Sequence, residues 1–388
     1  MKDNRRDFIK KSTAAVVLSV VGIGSATADL LNLNDSKDVI KSEAAPINLK
    51  KNEWPITEVP GLPKLCMVIS PRATVDEMRQ MKQLGIDHVH MGGGSIPWKV
   101  EELRILQDRF KVEGLTIINL MMGGFQNVIL GKEGRDEEIE KVKESLRAAG
   151  AVGIPVVEYN FYVDRLMDGY YEVKGRGGAG MTAFKAPEKD LPPKPNNGTL
   201  DDKTLWNNLT YFLKAVIPVA EKAGVRMALH PNDPPVPVSH GSAQIIATFK
   251  DWKRLLDLVD SPSNGMTFDC GVSREMGEDP LEVLRYLGSK DRVNHIHYRN
   301  VTVEESYKKY AEVFYDQGQV NMFAIMQEII KQGYKFGINP EHPRALDYDK
   351  EHPRGITTWK MYPGGGGYAG EAYDVGYTRA MMQAVLSL

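Results

Sequence analysis

Short apolar runs of strand length alternate along this chain with longer segments whose apolar positions recur at helical spacing. The runs are Leu65 to Ser70, His88 to Met91, Leu115 to Leu120, Val156 to Tyr159, Arg226 to His230, Met266 to Asp269, Val293 to Tyr298 and Lys335 to Asn339. Between them the spacing predicts helices over Thr74–Leu84, Lys99–Glu113, Arg135–Ala149, Leu205–Ala223, Ala243–Asp260, Pro280–Leu287 and Met322–Gln332, with a last one over Val375–Leu388. Strand and helix in strict alternation build βαβ units around a parallel sheet. Eight such units predict an α/β fold, a (β/α)8 TIM barrel, formed as a single domain over residues 61–388. Leu84-Gly85, Glu113-Gly114, Ala149-Gly150, Ala223-Gly224 and Gln332-Gly333 each place glycine where a left-handed helix C-cap is wanted. A doubly wound open sheet would bring a phosphate-binding glycine loop after its first strand, and Ser70-Pro71-Arg72 stands there instead.

Two connections break the rhythm, one from Phe161 to about Asp201 and one from Asn339 to about Tyr373. Both follow strand C-terminal ends, where barrels build their active sites, so they are read as long βα lid loops. Arg165, Lys174, Arg176 and Lys185 along the first suit an anionic substrate.

The N-terminal residues do not join this pattern. Asn4-Arg5-Arg6-Asp7-Phe8, an apolar run from Ala14 to Ile23 and the small-residue site Ala26-Thr27-Ala28 predict a twin-arginine signal peptide over residues 1–28, cleaved after Ala28. The apolar run is too short to span about 30 Å of hydrocarbon. Residues 29–60 read as a polar leader or linker. Passage through the twin-arginine export machinery to the periplasm follows, without a stable membrane anchor.

With 388 residues, 42% hydrophobic and 26% charged, a large core can be buried, and a net charge of -2 gives no reason to expect nucleic acid as a partner. Small-molecule chemistry fits better, and a homo-oligomer is left open. Only Cys66 and Cys270 are present, so no disulfide framework supports the fold.

Four successive strands end on groups that bind metals. Met227-Ala228-Leu229-His230 ends on an imidazole and Thr267-Phe268-Asp269 on a carboxylate; His295-Ile296-His297 carries two imidazoles and Asn339-Pro340-Glu341-His342 a carboxylate beside a third. A lone histidine at a strand end is usually structural, but these four positions share one rim of a barrel. His230, Asp269, His297 and Glu341 together describe a divalent metal site of nitrogen and oxygen donors. Such a set suits Mn²⁺ as first choice, with Fe²⁺, Co²⁺ or Mg²⁺ as alternatives. His295 and His297 share a strand face, and His297 is nearer the rim.

These residues resemble the mannonate dehydratase family, a branch of the xylose-isomerase-like barrels. His230-Pro231-Asn232-Asp233-Pro234-Pro235 is similar to its HPDDPP, Ser261-Pro262-Ser263-Asn264-Gly265 to its SPxNG, His297-Tyr298-Arg299-Asn300-Val301 to its HLRNV and Asn339-Pro340-Glu341-His342 to its RPDH. The family's FCTG places a metal-binding cysteine directly after the phenylalanine. Here Phe268 is followed by Asp269, with Cys270 one residue later as the alternative ligand. Glu341 stands where the family has aspartate.

The resemblance implies a hydro-lyase that removes water from D-mannonate, or a related sugar acid, to give 2-keto-3-deoxy-D-gluconate. It implies His342 as acid/base and a tyrosine base, Tyr368 or else Tyr373 or Tyr377. Arg299 would bind the substrate carboxylate or tie down a ligand carboxylate. A sugar isomerase or epimerase would use the same metal and base, and a non-catalytic exported sugar-binding barrel is the remaining alternative.

Overall fold

The computed structural model describes residues 61–195, 198–352 and 362–388. The predicted signal peptide and leader, residues 1–60, lie outside the described residues. Eight parallel strands close into a barrel: β1 Lys64–Val68, β2 His88–Gly92, β3 Thr116–Met122, β4 Val156–Tyr159, β5 Arg226–Leu229, β6 Asn264–Asp269, β7 Val293–Tyr298 and β8 Gly337–Pro340. Each pairs with its neighbours in sequence, and β1 pairs with β8 to complete the ring. All eight expected strands are present, with ends shifted by a few residues. The fold is therefore the α/β barrel that the alternation implies. Among the described residues no helix is long and apolar enough to cross a membrane.

The outer helices bury one stripe each. The longest, Asp202–Ala223, presents Leu205, Trp206, Leu209, Phe212, Leu213, Val216, Ile217 and Ala220 to the barrel, and Asp201 caps its start by accepting from the Thr204 amide at 2.7 Å. Gly85, Gly114, Gly224 and Gly333 adopt the positive φ expected of C-caps. Gly150 does not: its helix runs on to Ala151, and the left-handed residue is Gly153. Glycine is needed at 150 for a different reason, because a Cβ there would lie 2.2 Å from the Ala223 carbonyl oxygen of the adjacent helix.

The largest departures from the periodicity fall at two helix starts. The helix expected from Ala243 begins at Phe249, where Thr248 and Asp251 form a capping box; Ser242–Ala243 instead pairs with Val238–Ser239. The last helix begins at Tyr368, seven residues earlier than expected.

The first lid is not a loose loop. Tyr170–Lys174 and Gly180–Lys185 form a hairpin, and a second hairpin, Asn300–Glu305 with Lys309–Val313, follows β7 directly. The two join into a four-stranded antiparallel sheet through pairs such as Tyr310 with Phe184. The second hairpin is not legible in the sequence because it starts two residues after a barrel strand, without a turn to separate them.

Candidate metal centre

Lateral register brings the predicted ligands together. Asp269 is the last residue of β6 and pairs with His297 on β7; His297 in turn pairs with Asn339 on β8, and Glu341 follows two residues later on the same face. His230 immediately follows β5. The ligand atoms of Asp269, His297 and Glu341 all lie within 4.8 Å of one another, and all three residues are buried. His230 Nε2 lies 3.2 Å from His297 Nδ1, which is 3.1 Å from Glu341 Oε1 and 3.9 Å from Asp269 Oδ2. Cys270 opens the short helix Cys270–Glu275, where burial pushes its thiol up and keeps it protonated; Asp269, not Cys270, faces the histidines.

The histidine tautomer at His230 suits metal binding. Its Nδ1 lies 2.7 Å from the Pro231 carbonyl, which can only accept, so Nδ1 carries the proton and the Nε2 lone pair is directed at the centre. Glu341 Oε1 is buried without a hydrogen bond of good geometry. Imidazole and carboxylate atoms converging here with unused lone pairs fit a divalent cation.

Burial would lower the His297 imidazole, but Glu341, Glu158 and Asp269 outweigh it and raise it to about 9. Burial would raise the Glu341 carboxyl, which His297 and His342 instead hold well below its usual range. Asp269 goes the other way: burial raises it, and Arg299 only partly compensates.

Arg299, 1% exposed, is ringed by carboxylates. Its Nη1 is 2.7 Å from Glu275, its Nε 3.0 Å from Asp269 and 3.4 Å from Glu341, and its Nη2 3.5 Å from Asp233. The guanidinium thus ties down the Asp269 and Glu341 carboxylates, which matches the second of its two expected roles. Gly271 makes room for it, since a Cβ there would sit 2.6 Å from the Arg299 Cζ.

Three of the lid's four expected basic residues have partners within the protein. Arg165 donates to the Asp233 carbonyl at 2.7 Å, Arg176 lies 2.7 Å from Asp316 and Lys174 pairs with Glu172. Arg165, Lys174 and Arg176 are therefore held by acids of the chain itself. Asp233 accepts as well from Tyr170 at 3.0 Å and Tyr310 at 3.4 Å, so it anchors the lid sheet to the turn after His230.

His342 is buried at the rim with φ +53, a left-handed conformation uncommon for a non-glycine residue and one that costs of order 1–3 kcal/mol. Arg344 holds it there, its Nε donating to the His342 carbonyl at 2.9 Å while its Nη2 meets Glu312 at 2.8 Å. The His342 Nδ1 lies 2.8 Å from Glu312 Oε1, and its Nε2 is 3.7 Å from Glu341. A carboxylate on one ring nitrogen leaves the other directed at the centre, an acid/base arrangement.

The tyrosine stacked on His342 is Tyr362, with ring centroids 5.7 Å apart, and the Arg165 guanidinium lies over the Tyr362 ring, 5.4 Å from its centroid. Tyr368, half-buried, opens the last helix. Tyr373 donates to Asp316 at 2.7 Å and Tyr377 packs edge-on against Tyr315.

Sequence reasoning passed over Glu158, Asp233, Glu275 and Glu312. A glutamate inside the apolar run Val156-Val157-Glu158-Tyr159 was itself a signal, because a carboxylate facing a barrel interior needs a cationic partner. Burial would raise Glu158, yet His297, His295, His230 and His90 hold it at about 2. His295 lies one layer deeper than His297, its ring 5.3 Å from that of His90, and burial drops it to about 3.

Comparison with known proteins agrees with this geometry. The family model for D-mannonate dehydratase (UxuA) matches residues 196–387. Mannonate dehydratase of Thermotoga petrophila is 30% identical over 320 residues, covering 72% of this chain and 88% of that protein. That of Streptococcus equi subsp. zooepidemicus is 30% identical over 276 residues, 64% of this chain and 76% of the relative. The crystal structure of mannonate dehydratase from Streptococcus suis serotype 2 superposes with a TM-score of 0.72 at 27% identity, over 84% of this chain and 95% of that one. A D-psicose 3-epimerase from Clostridium cellulolyticum H10 shares the fold alone, at TM-score 0.53 and 14% identity, over 82% of this chain and 99% of that one. With four strand ends converging on one centre and relatives matched over most of their length, the chain belongs to the mannonate dehydratase family.

Proposed function

We propose that this chain is a metal-dependent hydro-lyase that converts D-mannonate, or a closely related sugar acid, to 2-keto-3-deoxy-D-gluconate. The observation that carries this reading is the Glu312–His342 pair beside the converged His230, Asp269, His297 and Glu341, in a chain of this family. Those four residues would hold the cation. When bound, a divalent cation supplies Lewis-acid polarisation of the substrate's carboxylate and hydroxyl oxygens, which eases removal of the C2 proton.

The chain's own groups do the rest. Arg299 keeps Asp269 and Glu341 in place. Glu312, at Nδ1 of His342, orients the ring so that Nε2 can give a proton to the hydroxide leaving C3. A tyrosinate of the closing segment would take the C2 proton, Tyr368 by family resemblance; Tyr362, stacked on His342, is kept in its phenol form by burial and would position that ring instead. In this reading Mn²⁺ is the cation, and the Arg5-Arg6 signal directs export to the periplasm; both rest on sequence and donor chemistry.

Incubating the Mn²⁺-loaded protein with D-mannonate should yield a 2-keto-3-deoxy acid. His342→Ala should lower kcat by about 10²- to 10⁴-fold, the usual worth of a general acid, and comparing Tyr362→Phe with Tyr368→Phe identifies the base. Recovery of an isomeric or epimeric sugar, or no turnover of any aldonate, overturns the dehydratase reading.

Metal binding should release a proton. His297, raised to about 9, is protonated in the metal-free protein at neutral pH and must lose that proton to coordinate. Apparent affinity should therefore weaken by about tenfold per pH unit below pH 9, measurable by titration calorimetry in buffers of different ionisation enthalpy. The sign for metal-free stability is opposite. A raised histidine stabilises the fold fully below its unfolded value of 6.5 and loses that contribution as pH rises through about 9.

A further inference from the structure

Glu158, whose carboxylate lies within 4.8 Å of ligand atoms of His230 and His297, meets the His297 ring at the nitrogen turned away from Asp269 and Glu341. His297 turns Nδ1 toward His230, Asp269 and Glu341, while its Nε2 is 3.5 Å from Glu158 Oε1 and has no hydrogen-bond partner. An imidazole that gives Nδ1 to a cation carries its proton on Nε2, and that buried N–H needs an acceptor. Glu158 is fixed as one would be. Thr267, two residues before Asp269 on β6, donates to Oε1 at 2.7 Å, and Asn119 on β3 donates to Oε2 at 3.1 Å. Both carboxylate oxygens are thereby held from two other strands, with a lone pair of Oε1 left for His297.

We propose that Glu158 is a positioning residue of the metal centre: it holds His297 in the Nε2–H tautomer and so directs Nδ1 at the cation. This rests on the reading of His230, Asp269, His297 and Glu341 as ligands.

Mn²⁺ binding by the full chain, followed by calorimetry, tests it with Glu158→Gln, Glu158→Asp and Asn119→Ala beside Asp269→Asn. Loss of an outer carboxylate should weaken Mn²⁺ by about 10- to 100-fold in Glu158→Gln. Partial recovery is expected in Glu158→Asp, and a smaller loss in Asn119→Ala, which leaves Glu158 itself in place. In the Zn²⁺-loaded, ¹⁵N-histidine-labelled wild type, the His297 pattern should show a protonated Nε2, and Glu158→Gln should disturb it. Unchanged Mn²⁺ affinity in Glu158→Gln while Asp269→Asn loses the metal overturns the positioning role and leaves the centre intact. Binding abolished in Glu158→Gln as completely as in Asp269→Asn makes Glu158 a direct ligand and also overturns it. Undiminished binding in Asp269→Asn means the four-ligand reading itself has failed.

Discussion

Asp269→Asn is expected to fold normally, bind metal far more weakly and lose activity on the order of 10³-fold. The substitution is chosen because Asp269 does two things at once. Its Oδ1 caps the helix Cys270–Glu275 by accepting from the Val272 amide at 2.8 Å, while its Oδ2 faces Arg299 at 3.0 Å and looks toward His297. Alanine would remove both functions and cost about 1 kcal/mol in the cap alone, confusing instability with lost chemistry. Asparagine keeps an oxygen for the cap and the same volume, and removes only the charge. Lewis-acid polarisation by a bound metal is worth several kcal/mol of transition-state stabilisation, and each 1.36 kcal/mol is about tenfold in rate. Metal analysis of the purified variant and a substrate-saturation assay check the two halves separately. Full activity with full metal content would remove Asp269 from the centre. The comparison with Cys270 is direct: Cys270→Ser should leave metal content unchanged, because that thiol is buried away from the histidines and held protonated.

Arg299→Met should cost about 3–5 kcal/mol of folding stability, the range for breaking a buried ion pair by removing one partner. Few single side chains here serve so many others. Asp233, Asp269, Glu275 and Glu341 all approach it within 3.5 Å, and Glu312 stands at 3.9 Å. Methionine fills the space and supplies no charge, leaving these carboxylates buried with less compensation. The deficit, read by denaturant unfolding, should shrink in acid as the carboxyl groups take up protons. It should also shrink when metal is added, since a divalent cation restores positive charge beside Asp269 and Glu341. Arg299→Lys should not restore the wild-type value: an ammonium is a single point donor and cannot serve acids that approach Nε, Nη1 and Nη2 separately. A variant as stable as wild type at neutral pH would mean that the surrounding acids are already protonated.

The barrel was legible because its two periods differ so plainly. Strands such as Met227-Ala228-Leu229 and Asn264 to Asp269 are buried along their whole length, and the helices between them show one apolar stripe each. The rim residues were legible for a related reason. A strand that ends on His230 or Asp269 states its own register, and four such ends cannot avoid one another once the ring is closed. What could not be read was whatever depends on pairing at a distance. Arg299 could be recognised as a carboxylate partner, but Asp233, Glu275 and Glu312 are scattered over some of the most dissimilar parts of the chain, and nothing local marks them as neighbours. Gly150 reads as a cap because its fault as a helix residue is local, whereas its merit, the approach of the Ala223 carbonyl, is not. Tyr362 carries no local signal beside the more conspicuous glycine run that follows it.

In most barrels of this kind each connection between strand and helix can be exchanged without consulting the others. Here the segments after β4 and after β7 are stitched into one sheet, with Lys309, Tyr310 and Ala311 bonded in register to Lys185, Phe184 and Ala183. A deletion, an insertion or a graft in either segment would strip the edge from the other. The two must therefore diversify as a pair, and a loop transplanted alone from a relative brings half a roof.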